Sequence, residues 1–213
     1  MKTVKETEKI INILEETYHD AKCGLDFSSP FELLIATILS AQCTDERVNI
    51  VTEKLFQAAD TPSDMLALGE EKLTEYIRSC GLANSKASNI MKTCYTLCEK
   101  YSEQVPETME ELTALNGVGR KTANVVMSNA FGKDAIAVDT HVKIVSNRIG
   151  LASSDDVYKV EMQLREAIDR KYWSRAHHWI IWHGRKICSA RKPKCEICPL
   201  SELCDYYAQR KND

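Results

Sequence analysis

Four cysteines near the C-terminus constrain this chain more than any other feature. They follow the spacing C-x6-C-x2-C-x5-C, as Cys188, Cys195, Cys198 and Cys204. Four unrelated core residues rarely fall so close together, so we predict that their thiolates bind one metal centre. The spacing alone permits a tetrahedral Zn²⁺ ion or a [4Fe–4S] cluster, and it slightly favours zinc because structural zinc is common.

The other five of the nine cysteines lie in apolar patterns along the chain. An odd total and the lack of a signal-peptide pattern predict a reducing, cytoplasmic location without disulfides. No apolar run approaches the length of a membrane span. We therefore interpret these five as small buried hydrophobic residues: Cys23, Cys43, Cys80, Cys94 and Cys98.

Helix-capping signals recur along the chain. Ser29-Pro30 with Glu32 predicts a helix start, and the apolar stretch Phe31–Leu39 predicts a buried helix. Three further starts are predicted at Thr61-Pro62, Ser85 and Thr108. No segment alternates as a strand does, and 8 Gly and 5 Pro in 213 residues are few. We therefore predict an all-α fold.

The segment Leu115–Gly119, between two helical patterns, predicts a tight turn. Its two glycines tolerate positive φ, and the N–H groups at the start of the next helix favour an anion such as a DNA phosphate. A plain helix C-cap and loop explains the glycines about equally well. Lys121 follows in the first helical turn, where the dipole disfavours a cation. That dipole and partial burial would favour the neutral amine, which can attack carbon and form a Schiff base.

Asp139 ends the short apolar run Ala135–Val138 just before another helical pattern. The favoured interpretation is a helix N-cap, because Asp is among the preferred capping residues. A capping carboxylate is rigidly held and can still face a cleft. Asp139 therefore also remains a candidate catalytic residue.

Charge is distributed unevenly. The net charge of −3 gives no sign of a nucleic-acid partner, but residues 170 to 194 contain no Asp or Glu. The basic residues of this run are Arg170, Lys171, Arg175, Arg185, Lys186, Arg191, Lys192 and Lys194. Because the run adjoins the cysteine segment, we favour phosphate contact over a merely solvated face.

In combination, these motifs resemble the endonuclease III family, the thymine-glycol-type branch of the helix-hairpin-helix DNA glycosylases. The resemblance covers nearly the whole chain. Its segments are Phe31–Ala36, Leu39–Gln42, Gly81-Leu82, Gly117–Val126, Val138–His141, His177–Trp179, His183–Arg185 and the four cysteines. Two positions depart from the family pattern: Asn116 stands where proline is common, and Ala83 where an aromatic residue is common.

The resemblance implies a two-domain all-α fold with the active site in a cleft. A hairpin domain would comprise residues 23–133, and residues 1–22 with 134–213 would form the cluster domain. The implied cofactors are a [4Fe–4S] cluster, in place of zinc, and a monovalent cation held by hairpin carbonyls. The implied partner is damaged double-stranded DNA, bound by a monomer on the nucleoid of a prokaryotic cell.

The implied activity is that of a bifunctional DNA glycosylase and AP lyase acting on oxidised pyrimidines. The damaged base must leave the stack, at a cost of a few kcal/mol. Lys121 would attack C1′ of the sugar, and Asp139 would assist proton transfer and stabilise the developing positive charge. β-Elimination from the Schiff base would then cut the strand.

The implied DNA contacts come from three places. Leu82 would wedge into the duplex and Gln42 would fill the vacated space, although the residues alone favour core packing for Leu82. Phosphates would be held by Gly117, Val118, Gly119 and Arg120 of the turn and by Arg185, Lys186, Arg191, Lys192 and Lys194 near the cysteines.

Two other functions compete. A monofunctional mismatch glycosylase would keep the aspartate but lack the lysine, and a non-catalytic hairpin DNA-binding protein would share the glycines and cysteines. The presence of Lys121 with Asp139 argues against both.

Overall fold

The structure is a computed structural model that describes residues 1–212, with the backbone alone for residues 211 and 212. No β-strand occurs in this described part, which confirms the all-α prediction. The chain divides into two compact units: one contains residues 23–132, and the other contains residues 1–22 together with residues from 133 onward.

Helices α1 and α9 to α12 belong to the second of these units, and α2 to α8 to the first. Their bounds are α1 (Val4–Thr17), α2 (Pro30–Leu39), α3 (Asp45–Ala58), α4 (Pro62–Leu68), α5 (Glu70–Ile77), α6 (Ala83–Tyr101), α7 (Met109–Thr113), α8 (Arg120–Asn129), α9 (Thr140–Ile149), α10 (Val157–Ala167), α11 (Trp173–Lys186) and α12 (Asp205–Asn212). Short 3₁₀ turns lie at Arg78–Cys80, Arg170–Tyr172, Cys195–Ile197 and Ser201–Leu203.

Helix α2 lies in the core of the unit formed by residues 23–132. Every residue from Leu33 to Leu39 is buried, which confirms the predicted buried helix. The Ser29 hydroxyl accepts a hydrogen bond from the Glu32 amide at 3.1 Å, and Pro30 occupies the first turn as expected. The apolar faces of α3, α6 and α8 pack against α2.

Two of the other three predicted helix starts are confirmed. Thr61 and Thr108 each cap a helix through their side-chain oxygen. The start predicted at Ser85 is wrong, because α6 begins at Ala83. Gly81 and Leu82 have φ values of 72° and 52°, so the chain turns sharply there and enters the helix with no side-chain cap.

The other unit has its own apolar core around α11. Trp179 and Ile180 of α11 are buried together with Ile10 and Leu14 of α1 and Val145 of α9. Helix α11 ends just before Cys188, so this core supports the segment that carries the four cysteines. Within the described residues, no helix is both long and apolar enough to cross a membrane.

Candidate functional site

Residues 114–119 connect α7 to α8 and are called the hairpin below. Gly117 has a φ of 75°, and a Cβ at this position would lie 3.0 Å from Cβ of Asn89. Glycine is therefore required there by both conformation and space. Gly119 differs, because its φ of −91° suits any residue and a Cβ would meet nothing within 4 Å. The second glycine instead leaves open space before α8.

The N-terminus of α8 has no side-chain cap, because its N-cap residue is Gly119. First-turn N–H groups without a cap and the positive end of the helix dipole together favour an anion. The neighbouring Val118 is 5% exposed and its N–H donates to the Leu115 carbonyl at 3.2 Å. The side chain of Val118 is therefore not available to DNA, and its N–H is already bonded within the hairpin.

Asn116, where the family commonly has proline, is fixed by a hydrogen bond to its main chain. Its carbonyl accepts a hydrogen bond from the Thr93 hydroxyl at 2.8 Å. This contact attaches the hairpin to α6 through a carbonyl that any residue at this position would offer.

Lys121 is the second residue of α8 and its side chain is exposed. The partial burial that we expected from the sequence is therefore wrong for the free protein. The charge of Lys121 acts on Cys23, which we had interpreted as a buried hydrophobic residue and which is only half-buried. Burial raises the pKa of the Cys23 thiol, and the charge of Lys121 offsets part of that rise.

Asp139 is the N-cap of α9, as the sequence predicted. Its Oδ1 accepts a hydrogen bond from the Val142 amide at 2.8 Å, and the residue is half-buried. The cap bond holds the carboxylate in one orientation and uses only one of its two oxygens.

Leu82 and Gln42 both have left-handed backbone conformations, with φ values of 52° and 56°. Leu82 is 58% exposed, which excludes the core packing that the residues alone had favoured. Gln42 is exposed as well. A left-handed conformation costs a non-glycine residue about 1–3 kcal/mol, and such strain concentrates at functional sites.

The four cysteines of the segment 188–204 line a single pocket. Burial and, to a smaller extent, the neighbouring thiols of Cys188, Cys204 and Cys195 together raise the pKa of Cys198 to about 11. Within the described residues, no three His, Cys, Asp or Glu side chains converge closely enough for one metal ion. Four thiolates around one pocket are the ligand set that a [4Fe–4S] cluster needs.

Polar side chains from distant parts of the chain contact these cysteines. His183 Nε2 lies 3.5 Å from Sγ of Cys198, and its Nδ1 lies 2.9 Å from the Tyr18 hydroxyl. Arg148 Nη1 lies 3.5 Å from Sγ of Cys188 and donates to the Ser189 carbonyl at 2.9 Å. Such contacts orient cluster ligands. No local sequence signal marks Tyr18 or Arg148 for this role.

Three residues of the basic run form ion pairs with acidic side chains. Arg170 pairs with Asp134 at 2.8 Å, Lys171 with Asp169 at 3.6 Å and Arg175 with Glu15 at 2.5 Å. The members of the later part of the run are all exposed: Arg185, Lys186, Arg191, Lys192 and Lys194.

Comparison with known proteins places these features in a family context. Residues 35–170 match the family model of the HhH-GPD superfamily base excision DNA repair proteins, and residues 188–204 match the iron–sulfur binding domain of endonuclease III. The endonuclease III of Rickettsia conorii is 51% identical over 95% of this chain and 97% of that protein. That of Haemophilus influenzae is 50% identical, over 97% of each chain.

Solved structures show the same relationship. A trapped endonuclease III–DNA covalent intermediate, an estranged-adenine complex, superposes with a TM-score of 0.94 at 48% identity. The match covers 99% of this chain and 100% of that one.

Proposed function

Because the chain belongs to the endonuclease III family of the HhH-GPD superfamily, we propose that Lys121 and Asp139 carry out its chemistry. The protein is a bifunctional DNA glycosylase and AP lyase of base excision repair, and it carries a [4Fe–4S] cluster. The monofunctional and the non-catalytic alternatives are not favoured.

The nucleophilic role of Lys121 is supported mainly by the covalent chemistry of a similar protein. The similar endonuclease III forms a covalent intermediate with DNA, which requires a nucleophile on the protein. Lys121 is an exposed amine in the first turn of α8, next to the uncapped N–H groups that favour a phosphate. A phosphate bound there would bring the DNA backbone to the lysine.

The reaction begins with extrusion of the damaged base, which we propose is an oxidised pyrimidine in duplex DNA. The exposed Leu82 side chain enters the stack and Gln42 occupies the vacated position. Their strained backbones present both side chains outward before DNA arrives, so less ordering is needed on binding.

Chemistry follows at the extruded nucleotide. The Lys121 amine attacks C1′ as the base departs, and the Asp139 carboxylate stabilises the positive charge that develops on the sugar. Loss of a proton from the amine and opening of the ring yield a Schiff base. This imine acidifies the C2′ proton, whose removal expels the 3′ phosphate and cuts the strand.

The remaining residues hold the DNA backbone. Gly117, Val118, Gly119 and Arg120 would line the site of one phosphate, with the N–H donors coming from residues other than Val118, whose N–H is bonded to Leu115. Hairpin carbonyls would hold a monovalent cation. Cys188, Cys195, Cys198 and Cys204 would hold the [4Fe–4S] cluster, which cross-links and orders the segment that carries the exposed basic residues. We infer that the protein works as a monomer on the nucleoid in the cytoplasm.

Borohydride trapping tests the nucleophile. The wild-type protein, incubated with a duplex that contains an abasic site, should form a covalent adduct on reduction. Lys121→Gln should form none and yet bind the duplex, whereas Lys92→Gln, at an exposed position of α6, should react as the wild type does. An undiminished adduct in Lys121→Gln would refute the assignment. Duplexes with thymine glycol or a uracil mismatch, read for nicking on a gel, test the lesion class.

A further inference from the structure

Lys86 is a buried lysine on α6 that the reaction described above does not use. Only 4% of it is exposed. Its Nζ donates to the Leu39 carbonyl at 2.8 Å and to the Cys80 carbonyl at 2.9 Å. Lysine is seldom so buried, and burying its amine is unfavourable unless the hydrogen bonds are strong.

The two carbonyls belong to two separate segments that present the strained, exposed residues. Leu39 is the last residue of α2, just before the turn that contains Gln42. Cys80 ends the 3₁₀ turn that leads directly into Leu82. Because both oxygens bond to one nitrogen, the two segments are held within about two hydrogen-bond lengths of each other at this point.

Electrostatics also favours the amine at this place. The Leu39 carbonyl is among the last of α2, where carbonyls lack helical partners and the dipole is negative. Burial lowers the pKa of Lys86, and the nearby thiols of Cys80 and Cys43 offset part of this effect. The two contacts survive in either protonation state, since a neutral amine donates two hydrogen bonds and an ammonium three.

We propose that Lys86 is a positioning residue that holds the Gln42 and Leu82 segments at a fixed separation, so that both side chains enter the duplex together. The proposal rests on the function proposed for Gln42 and Leu82. Left-handed backbones persist only where surrounding contacts over-determine them. The shared amine supplies such a contact to both segments, and a loose wedge would lose the preorganisation that extrusion of the base needs.

Lys86→Met tests this role, with Lys92→Met on the exposed face of α6 as the control. The assay compares cleavage of a duplex that contains thymine glycol with cleavage of a single strand that contains an abasic site. The duplex must be opened before reaction, whereas the single strand has no stack to open. We expect Lys86→Met to lower kcat/KM on the duplex roughly tenfold, as the loss of two hydrogen bonds suggests, and to change the single-strand rate less than twofold.

A double-mutant cycle with Leu82→Ala separates positioning from a merely structural role. If Lys86 acts through Leu82, Lys86→Met should cost little in the Leu82→Ala background. Equal losses on both substrates, additive effects in the cycle, or wild-type behaviour of Lys86→Met would each overturn the proposal. Should the Met variant fail to fold, Lys86→Gln, which keeps a donor, enters the same cycle.

The failure of the underlying assignment has a different signature. If Leu82→Ala by itself cleaves the duplex at the wild-type rate, Leu82 is not the wedge and Lys86 has nothing to position. If Leu82→Ala cleaves the duplex slowly and Lys86→Met cleaves it at the wild-type rate, the wedge role of Leu82 stands and only the positioning role of Lys86 is refuted.

Discussion

The two glycines of the hairpin should respond differently to the addition of one methyl group, Gly117 through stability and Gly119 through DNA binding. Gly117→Ala forces a left-handed conformation on alanine, which costs about 1–2 kcal/mol. It also places Cβ at 3.0 Å from Cβ of Asn89. We expect the free energy of unfolding to fall by roughly 2 kcal/mol and Tm by about 4–8 °C.

Gly119→Ala meets neither obstacle. At a φ of −91° with nothing within 4 Å of the new Cβ, alanine should change the free energy of unfolding by less than about 1 kcal/mol. The gain of about 0.4–1 kcal/mol from restricting the unfolded chain is offset because alanine is a poorer N-cap than glycine. The methyl group nevertheless fills the space through which we propose a phosphate approaches α8. Loss of one charge-assisted hydrogen bond, worth about 1.5–3 kcal/mol, should weaken DNA binding at least tenfold.

Thermal melting, followed by circular dichroism, measures the change in stability. Fluorescence anisotropy with an abasic-analogue duplex at constant salt measures the change in DNA affinity. Gly132→Ala is the matched control, because Gly132 also has a positive φ, of 63°, in open space outside the hairpin. It should lose stability and keep its affinity. Wild-type affinity in Gly119→Ala, or wild-type stability in Gly117→Ala, would refute this account of the hairpin.

Three further predictions concern single side chains. Leu82→Ala should leave Tm unchanged, because the side chain is 58% exposed. It should lower kcat/KM on duplex DNA about 5–30-fold, since burial of the exposed part in the base stack is worth about 1–2 kcal/mol. A wild-type kcat/KM would contradict the wedge role of Leu82. His183→Phe removes the ring nitrogen that lies 3.5 Å from Sγ of Cys198 and should speed iron release to a chelator about tenfold, measured by visible absorbance. An unchanged rate excludes that contact as a support for the cluster. Burial lowers the pKa of His178 to about 4 from 6.5, so the unfolded state binds the proton more readily than the folded state. The contribution of neutral His178 to the free energy of unfolding should therefore be fully present above pH 6.5 and fall by up to about 3 kcal/mol towards pH 4. Urea unfolding should show a smaller decrease over that range in His178→Gln, and parallel curves for the two proteins would exclude this residue.

The candidate site was predictable where its signals are local. The hydroxyl of Ser29 and the carboxylate of Asp139 cap helices that begin within three residues of them, so a short window contains all the necessary information. The spacing of the cysteines likewise predicted one metal centre, and the family resemblance rather than the spacing distinguished iron–sulfur from zinc.

Contacts between distant segments were not predictable in this way. An apolar residue after a glycine is equally consistent with a core residue and with a wedge. Only the packed structure shows that the Leu82 side chain is exposed to solvent. The burial of Lys86, the exposure of Lys121 and the contact of Tyr18 with His183, which are 165 positions apart, also depend on how helices pack. Capping and thiolate ligation thus follow from residue type and spacing along the chain, whereas exposure and long-range hydrogen bonding depend on which helix faces meet, and that is decided only when the core forms.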